Sequence, residues 1–374
     1  MGNIKDIVMS IPYLGEPSAR LYWGYLLASL AIAIFYSIIL NRSGKHAKAL
    51  LNKDFWFSPS SLLDIRIFIV NGLFKAFILA AFLPTTFTVM TIYMKIAPNL
   101  ETPLKSLGTS WQMLTFTIVA FTINDFLRFG THYLFHKYRF LWRFHQVHHS
   151  AEVLTPLTLY RLHPVEMIAG NFRNALSYGL SAGFSLTMFG NMIYGYQILG
   201  VSALGFLFNI FAANLRHSPI PVSFGWLEWL FISPRQHQLH HDRKGASYNY
   251  GVCLAIWDHL FRSWRQPAND HNYEFGIGKP QQHTIVEQFF GKKSWFDWIE
   301  RDKPNKAYNQ EPSPLHCYLE KLKFLPRTGL SESGLNANNQ MFQNAMPDNS
   351  INAVKASICT RHTVSKNKKR PLRL

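Results

Sequence analysis

The stretch His132-Tyr-Leu-Phe-His136-Lys-Tyr-Arg-Phe-Leu-Trp-Arg-Phe-His145-Gln-Val-His148-His149 holds five histidines in eighteen residues. Sixteen histidines spread evenly over 374 residues would leave fewer than one in such a window. The density is not chance. His132 and His136 make an HxxxH, and His145, His148 and His149 make an HxxHH. A second HxxHH follows downstream as His237-Gln-Leu-His240-His241.

On a helix, residues three or four apart share a face, so His132 and His136 can grip one ion. In an HxxHH the first histidine shares a face with both later ones, and those two splay by about 100°. Each can then point at a different metal. Two HxxHH helices facing each other around an HxxxH helix make a two-metal cage. Neutral imidazole suits iron, zinc, copper or nickel; without carboxylate or thiolate in the groups, calcium, magnesium and iron–sulfur clusters are disfavoured. His217, in Asn214-Leu-Arg-His217-Ser218, closes an apolar stretch level with the clusters and is expected as a further ligand. His163, before Pro164, stands either as a ligand or as a hydrogen-bond donor behind one. Asp125 lies seven residues before His132, two helical turns, and stands either as the acceptor that fixes an imidazole through its N–H or as a cap or partner of Arg128. No catalytic side chain is expected beyond the metal centre. The remaining histidines (His46, His259, His271, His283, His316, His362) read as ordinary polar residues, and Trp142, Phe144, Trp257 and Trp264 as headgroup-level anchors.

Outward from the clusters the chain is apolar. Charged residues make up 16% against 48% hydrophobic, and 30 phenylalanines outnumber 21 acids. Soluble proteins carry about 25% charge. The net charge of +17 would suggest nucleic acid in a soluble chain, but the charges here lie between long apolar runs, where membrane topology explains them. Cys253, Cys317 and Cys359 are scattered, so neither a disulfide scaffold nor a thiolate zinc site is expected.

Four stretches match a bilayer core of about 30 Å. Residues 21–40, 76–94 and 106–124 are or nearly are uncharged, the second with Pro84 as an expected kink. Residues 174–215 carry no charge over 42 positions, enough to cross and return with a turn at Gly190-Asn191. Lysine and arginine after the first, third and last of these place those loops, and both HxxHH boxes, in the cytoplasm. The expected fold is an all-α integral membrane protein with four to five transmembrane helices and a cytosolic histidine-rich cap binding a di-metal centre. Residues 1–110 form a membrane region, 111–302 the catalytic domain and 303–374 a mostly disordered basic tail.

Three histidine boxes in this order resemble the fatty acid hydroxylase (sterol desaturase) superfamily of membrane non-haem di-iron enzymes. The resemblance runs from about Asn124 to Trp264. It includes His148-His-Ser-Ala-Glu-Val-Leu-Thr-Pro-Leu-Thr, most like bacterial members, and Asn249-Tyr-Gly before Trp257-Asp258. It implies two iron ions on His132, His136, His145, His148, His149, His237, His240 and His241, with zinc able to replace iron on purification. His217 fills an extra box only partly. Arg262-Ser263 stands where many members have Gly-Thr. O2 as oxidant, a fatty acyl, sterol or alkyl-lipid substrate, and hydroxylation or desaturation are further implications.

The chemistry agrees. Breaking an unactivated C–H bond exceeds any side chain, so a redox metal carries it. An apolar slot between the spans would take the acyl chain. The sequence holds no haem-attachment, Rossmann or ferredoxin pattern, so electrons come from a separate reductase, ferredoxin or cytochrome-type donor. The alternative is a metal transporter or storage protein, whose ligands belong near mid-membrane on broken helices. Here they follow the ends of the spans. A zinc protease would need an HExxH, which is lacking.

Overall fold

Helices joined by short connections build the chain from its apolar segments. The computed structural model describes residues 13–40, 48, 50–79, 82–97, 102–268, 273–278 and 283–290, all within one unit spanning Met1–Leu315. The basic tail expected from residue 303 lies outside the described residues, as do His46, His271, His316 and His362.

Helix α1 (Trp23–Phe35) runs into a π turn over Tyr36–Leu40, and the single turn α2 (Lys53–Trp56) precedes α3 (Pro59–Leu79) and α4 (Phe82–Ile96). The long α5 (Thr109–Lys137) breaks at Tyr138 into α6 (Arg139–His149), and a 3-10 turn at Pro156–Tyr160 leads to α7 (Pro164–Phe189). A small antiparallel hairpin pairs β1 (Gln197–Ile198) with β2 (Val201–Ser202), Gln197 opposite Ser202. The chain returns through α8 (Ala203–Phe208), a π turn at Asn209–Ala213 and a 3-10 turn at Leu215–His217. After a 3-10 turn at Gly225–Trp229 come α9 (Pro234–His241), α10 (Ile256–Leu260) and α11 (Ile285–Phe290).

Two helical stretches, Lys53–Lys75 and Thr109–Lys137, are long and apolar enough to cross a bilayer, and Trp23–Ile39 is a shorter apolar helix. This departs from the expected spans in two places. The stretch expected to cross at 76–94 is divided between α3 and α4, and Pro84 falls in the first turn of α4. A proline there needs no N–H partner, so it sits at a helix start instead of a kink. The loop expected at 42–75 contains most of α3, whose Asp64 is fully buried against Arg161 at 3.0 Å. That pairing removes the charge that made the segment read as loop. The 42-residue uncharged stretch turns at Gly190, which caps α7 in the left-handed conformation (φ 77°). Its return half has only α8 and two irregular turns, well short of the about 20 helical residues a full span needs.

Helices α5 and α7 run antiparallel. Leu104 N–H donates to Met188 O at 2.9 Å, and Tyr196 N–H to Thr117 Oγ1 at 2.8 Å, tying the start of α5 to the end of α7. Helix α7 presents a GxxxG, Gly179 and Gly183, to α4. A Cβ at Gly179 would lie 2.7 Å from Val89 and 2.8 Å from Thr86 O, and one at Gly183 would strike the Tyr93 ring. Small residues let the two backbones close up, the packing device of apolar helices that gain little from burial against lipid.

Gly183→Leu should therefore push α4 off α7 and cost about 1–3 kcal/mol. Thermal unfolding in detergent should show a lowered midpoint, while the equivalent change at Gly130, where an added Cβ meets nothing within 4 Å, should be mild.

Candidate metal centre

Four elements meet at one place: the carboxyl end of α5, α6, α9 and the 3-10 turn at Leu215–His217. Ser233 opens α9 with a reciprocal capping box to Gln236, and Pro234 stands at its first position. These signals start a helix only eight residues long whose last turn carries His240 and His241. The capping-type signals fix where the HxxHH begins and so which way its rings point.

Nine of the twelve described histidines fall into two clusters. His132, His136, His145, His149 and His240 form one, and His148, His217, His237 and His241 the other; within each, the ligand atoms lie within 4.8 Å of one another. Each HxxHH divides its adjacent pair between the clusters, His148 from His149 and His240 from His241. The 100° splay does this. The nine histidines named from the sequence are the nine that converge.

The nitrogens suit a cation. His217 Nε2 lies 3.3 Å from His148 Nε2, 3.1 Å from His241 Nε2 and 3.3 Å from His237 Nε2. One nitrogen cannot hydrogen-bond three others that also need protons. Metal–nitrogen bonds of about 2.0–2.1 Å put neighbouring ligand nitrogens about 3.0–3.4 Å apart, which is this spacing. In the larger cluster, the Nε2 atoms of His136, His145, His149 and His240 are buried without a partner. Four of the nine rings have their opposite nitrogen occupied, while Nδ1 of His217, His237 and His241 is buried without a partner. His132 Nδ1 donates to Tyr250 O at 2.7 Å, His145 Nδ1 to Glu166 Oε1 at 2.9 Å, His148 Nδ1 to Thr158 O at 3.1 Å and His240 Nδ1 to Tyr248 O at 2.7 Å. These acceptors assign the Nδ1–H tautomer and leave each Nε2 lone pair facing inward. Burial pushes His145 and His148 down to about 3, and chiefly burial holds His149, His217, His237, His240 and His241 well below the usual range. All are neutral donors at physiological pH. Imidazoles without thiolate fit iron, as they fit zinc, copper or nickel.

Asp125 does not reach an imidazole. Its carboxylate accepts from Cys253 N and Leu254 N at 3.0 Å each and from Trp257 Nε1 at 3.0 Å. It acts on His132 and His240 through the loop whose carbonyls, Tyr248 and Tyr250, hold them. Asp258 clamps the same loop at Tyr250 N and Gly251 N, where a Cβ on Gly251 would lie 2.6 Å from Asp258 Oδ2. His163 is not a ligand. Its Nδ1 accepts from Val165 N as the cap of α7, and its Nε2 donates to Phe289 O at 3.1 Å. Both of its nitrogens serve the backbone. Glu166 was not legible as a site residue, since one acid in the first turn of a helix usually serves the helix dipole.

The aromatic residues expected as headgroup anchors also differ. Trp142 packs on His136 and His149 at 4.9 and 5.2 Å between ring centroids. Trp264 is buried, with Nε1 on Glu228 O, and Trp257 is held by Asp125 as above. Arg262 has φ 58°, a conformation that favours glycine, so the departure from Gly-Thr places an arginine where a glycine would be unstrained.

A cavity of about 1220 Å³ opens onto both clusters, reaching His132 and His145 of one and His148, His217 and His237 of the other. Its wall is mixed, mostly apolar with basic side chains among them, where the sequence suggests a wholly apolar slot. Alongside Phe135, Leu159 and Met167 its wall carries Arg20, Lys75, Arg128, Arg173 and Arg216. Hydropathy of whole segments does not report which helix face lines a hollow.

Glu166→Ala should loosen the ion held by the five-histidine cluster by about 10–100-fold. Chelator competition followed by metal analysis should show two ions in the parent and early loss of one in the variant; equal retention of both would show that Glu166 has no part in holding His145.

Residues 117–263 match the fatty acid hydroxylase family, the segment from mid-α5 past α10. The chain is 28% identical over 206 residues to ornithine lipid hydroxylase OlsE of Rhizobium tropici, covering 54% of this chain and 58% of that protein. It is 28% identical over 173 residues to alkylglycerol monooxygenase of Danio rerio, covering 46% of this chain and 33% of that protein; the Homo sapiens alkylglycerol monooxygenase is 24% identical over 163 residues. The chain thus spans little more than half of the first relative and a third of the others. No solved structure matches it. The nine converging histidines all lie within the segment that matches the fatty acid hydroxylase family.

Proposed function

We propose that this chain is a membrane-embedded, O2-dependent lipid hydroxylase whose two histidine clusters hold a pair of iron ions. The observation that carries the reading is the joint placement of two imidazole clusters on the wall of one cavity. When bound, two irons supply the redox equivalents and open coordination positions with which O2 attacks an unactivated C–H bond.

The protein's own residues hold and isolate that centre. His132, His136, His145, His149 and His240 would hold one ion, and His148, His217, His237 and His241 the other. Tyr248 O, Tyr250 O, Thr158 O and Glu166 fix ring orientation through the Nδ1 protons. Trp142 packs over the larger cluster. Burial of every ring of α9 and of His145, His148 and His149 excludes bulk water from the oxidant. Electrons come from a separate donor.

The same reading places both clusters on the cytoplasmic side, with up to five crossings. Lys137 and Lys244 are exposed beside them. Cysteines at these two positions should label from the same, cytoplasmic, face of sealed vesicles; labelling from opposite faces would break the topology.

Turnover is tested with the metal-loaded protein in lipid nanodiscs, a reductant and ¹⁸O-labelled dioxygen. One labelled oxygen should enter a lipid product, whereas desaturation would consume O2 and leave no label. His148→Ala and His240→Ala each remove a ligand from a different cluster, and each should abolish conversion. Conversion that continues without O2, or with both replaced, is incompatible with the proposal.

A further inference from the structure

We propose that Arg20, Arg128 and Arg173 form a receptor in the cavity for an acidic headgroup, phosphate or carboxylate, so that the lipid oxidised is anionic. The inference rests on the reading of the chain as a lipid oxygenase and names its substrate class. Position comes first. Arg128 precedes His132 by four residues on α5, and Arg173 follows Glu166 by seven on α7, so each shares a helix face with a residue of the metal centre. Arg20 stands just ahead of α1, and all three line the cavity that reaches both clusters.

Their charges are unmatched. Among the described residues no carboxylate makes an ion pair with any of them. Arg128 Nε reaches only Asn124 Oδ1 at 3.3 Å, and Arg173 Nη2 reaches Asn174 Oδ1 at 3.0 Å while its Nε is buried without a partner. Arg20 lies over the Phe208 ring at 5.5 Å. Of the acids nearby, Asp125 is held by three N–H donors and Glu166 Oε1 by His145, while Glu166 Oε2 has no hydrogen-bond partner and the exposed Glu16 also stands on the cavity wall. Arg216, the fourth guanidinium on the wall, donates to the Ile232 and Val252 carbonyls. Burial, and then the neighbouring Arg128 and Arg216, lower Arg20 to about 9. With four arginines and Lys75 on the wall against Glu16 and Glu166, the hollow is net positive.

Arginines that merely anchor a helix at a bilayer surface extend outward to water and headgroups. These face an interior hollow beside the site of chemistry. The guanidinium fork matches phosphate and carboxylate with paired hydrogen bonds, and several forks around one anion offset its desolvation. A neutral lipid would leave three half-buried cations without a counter-charge.

The test is equilibrium binding to the metal-loaded full chain in neutral detergent, without O2 or reductant, comparing phosphatidic acid with diacylglycerol of the same acyl chains. Phosphatidic acid should bind at least about tenfold more tightly, about 1.4 kcal/mol. The double variant Arg128→Gln, Arg173→Gln should lose that preference, and Arg128→Lys, Arg173→Lys should keep it, both retaining two metal ions. Equal binding of the two lipids, or a preference that survives the glutamine variant, would overturn the proposal. Inorganic phosphate should compete only far above the lipid concentration; competition at equal concentration would assign the site to a free anion and overturn the lipid assignment. Because no turnover is involved, the two readings fail separately: anion preference without labelled product ends the oxygenase, and labelled product without anion preference ends the receptor.

Discussion

Nine imidazoles brought nose to nose in a dry interior are the constraint to which the rest of the chain conforms. Three Nε2 atoms crowd around that of His217 at 3.1–3.3 Å, and four in the neighbouring cluster are buried without partners. Left to themselves, such groups would carry the cost of unsatisfied buried polar atoms, about 1–3 kcal/mol each. A cation in each cluster would convert that cost into coordination, and would then stabilise the fold that gathers the rings, because ligands and ion stabilise each other.

Holding the rings in that arrangement takes backbone from distant parts of the chain. Tyr248 and Tyr250 carbonyls lie on one loop and serve His240 and His132, and that loop is pinned by Asp125 and Asp258. Thr158 O serves His148 from the other side, in a 3-10 turn fastened by Thr158 Oγ1 to Asp64 at 2.6 Å. The buried Arg161 joins the same Asp64 to Val147 O and Ser150 Oγ at the end of α6. Each donor of this buried pair is spent on an acceptor, the condition under which an internal ion pair is tolerated. Carboxylates therefore act on the metal centre mostly at one remove, by fixing the backbone that fixes the histidines.

The cavity joins two chemistries that hydropathy keeps apart. Its apolar side chains suit an acyl chain, and its arginines suit an acid. Both follow from helices that enter the hollow end-on, since the last turns of α5 and the first turns of α7 lie where apolar spans give way to charge. A hollow at such a boundary presents a polar rim and an apolar depth to the same molecule, which matches the build of a lipid.

By itself the sequence pointed to a mostly helical chain with apolar helices long enough to span a membrane, and to the nine histidines that the fold gathers into two clusters. It did so because helix periodicity turns HxxxH and HxxHH into faces, and because histidine density far above chance leaves few other readings. His217 was reachable only through its place at the end of an apolar run. What tertiary structure alone decided were the acceptors behind the rings, the division of α3 from α4, the shortened return after Gly190 and the charge inside the cavity. Glu166 lies 21 residues from His145 and Tyr250 lies 118 from His132; contacts at such separations have no local pattern. Asp125 shares a helix face with His132 as its spacing says, yet it bonds to a loop arriving from residues 253–257. Spacing along one helix fixes the direction in which a side chain leaves, and only the packing of the whole chain fixes what it meets there.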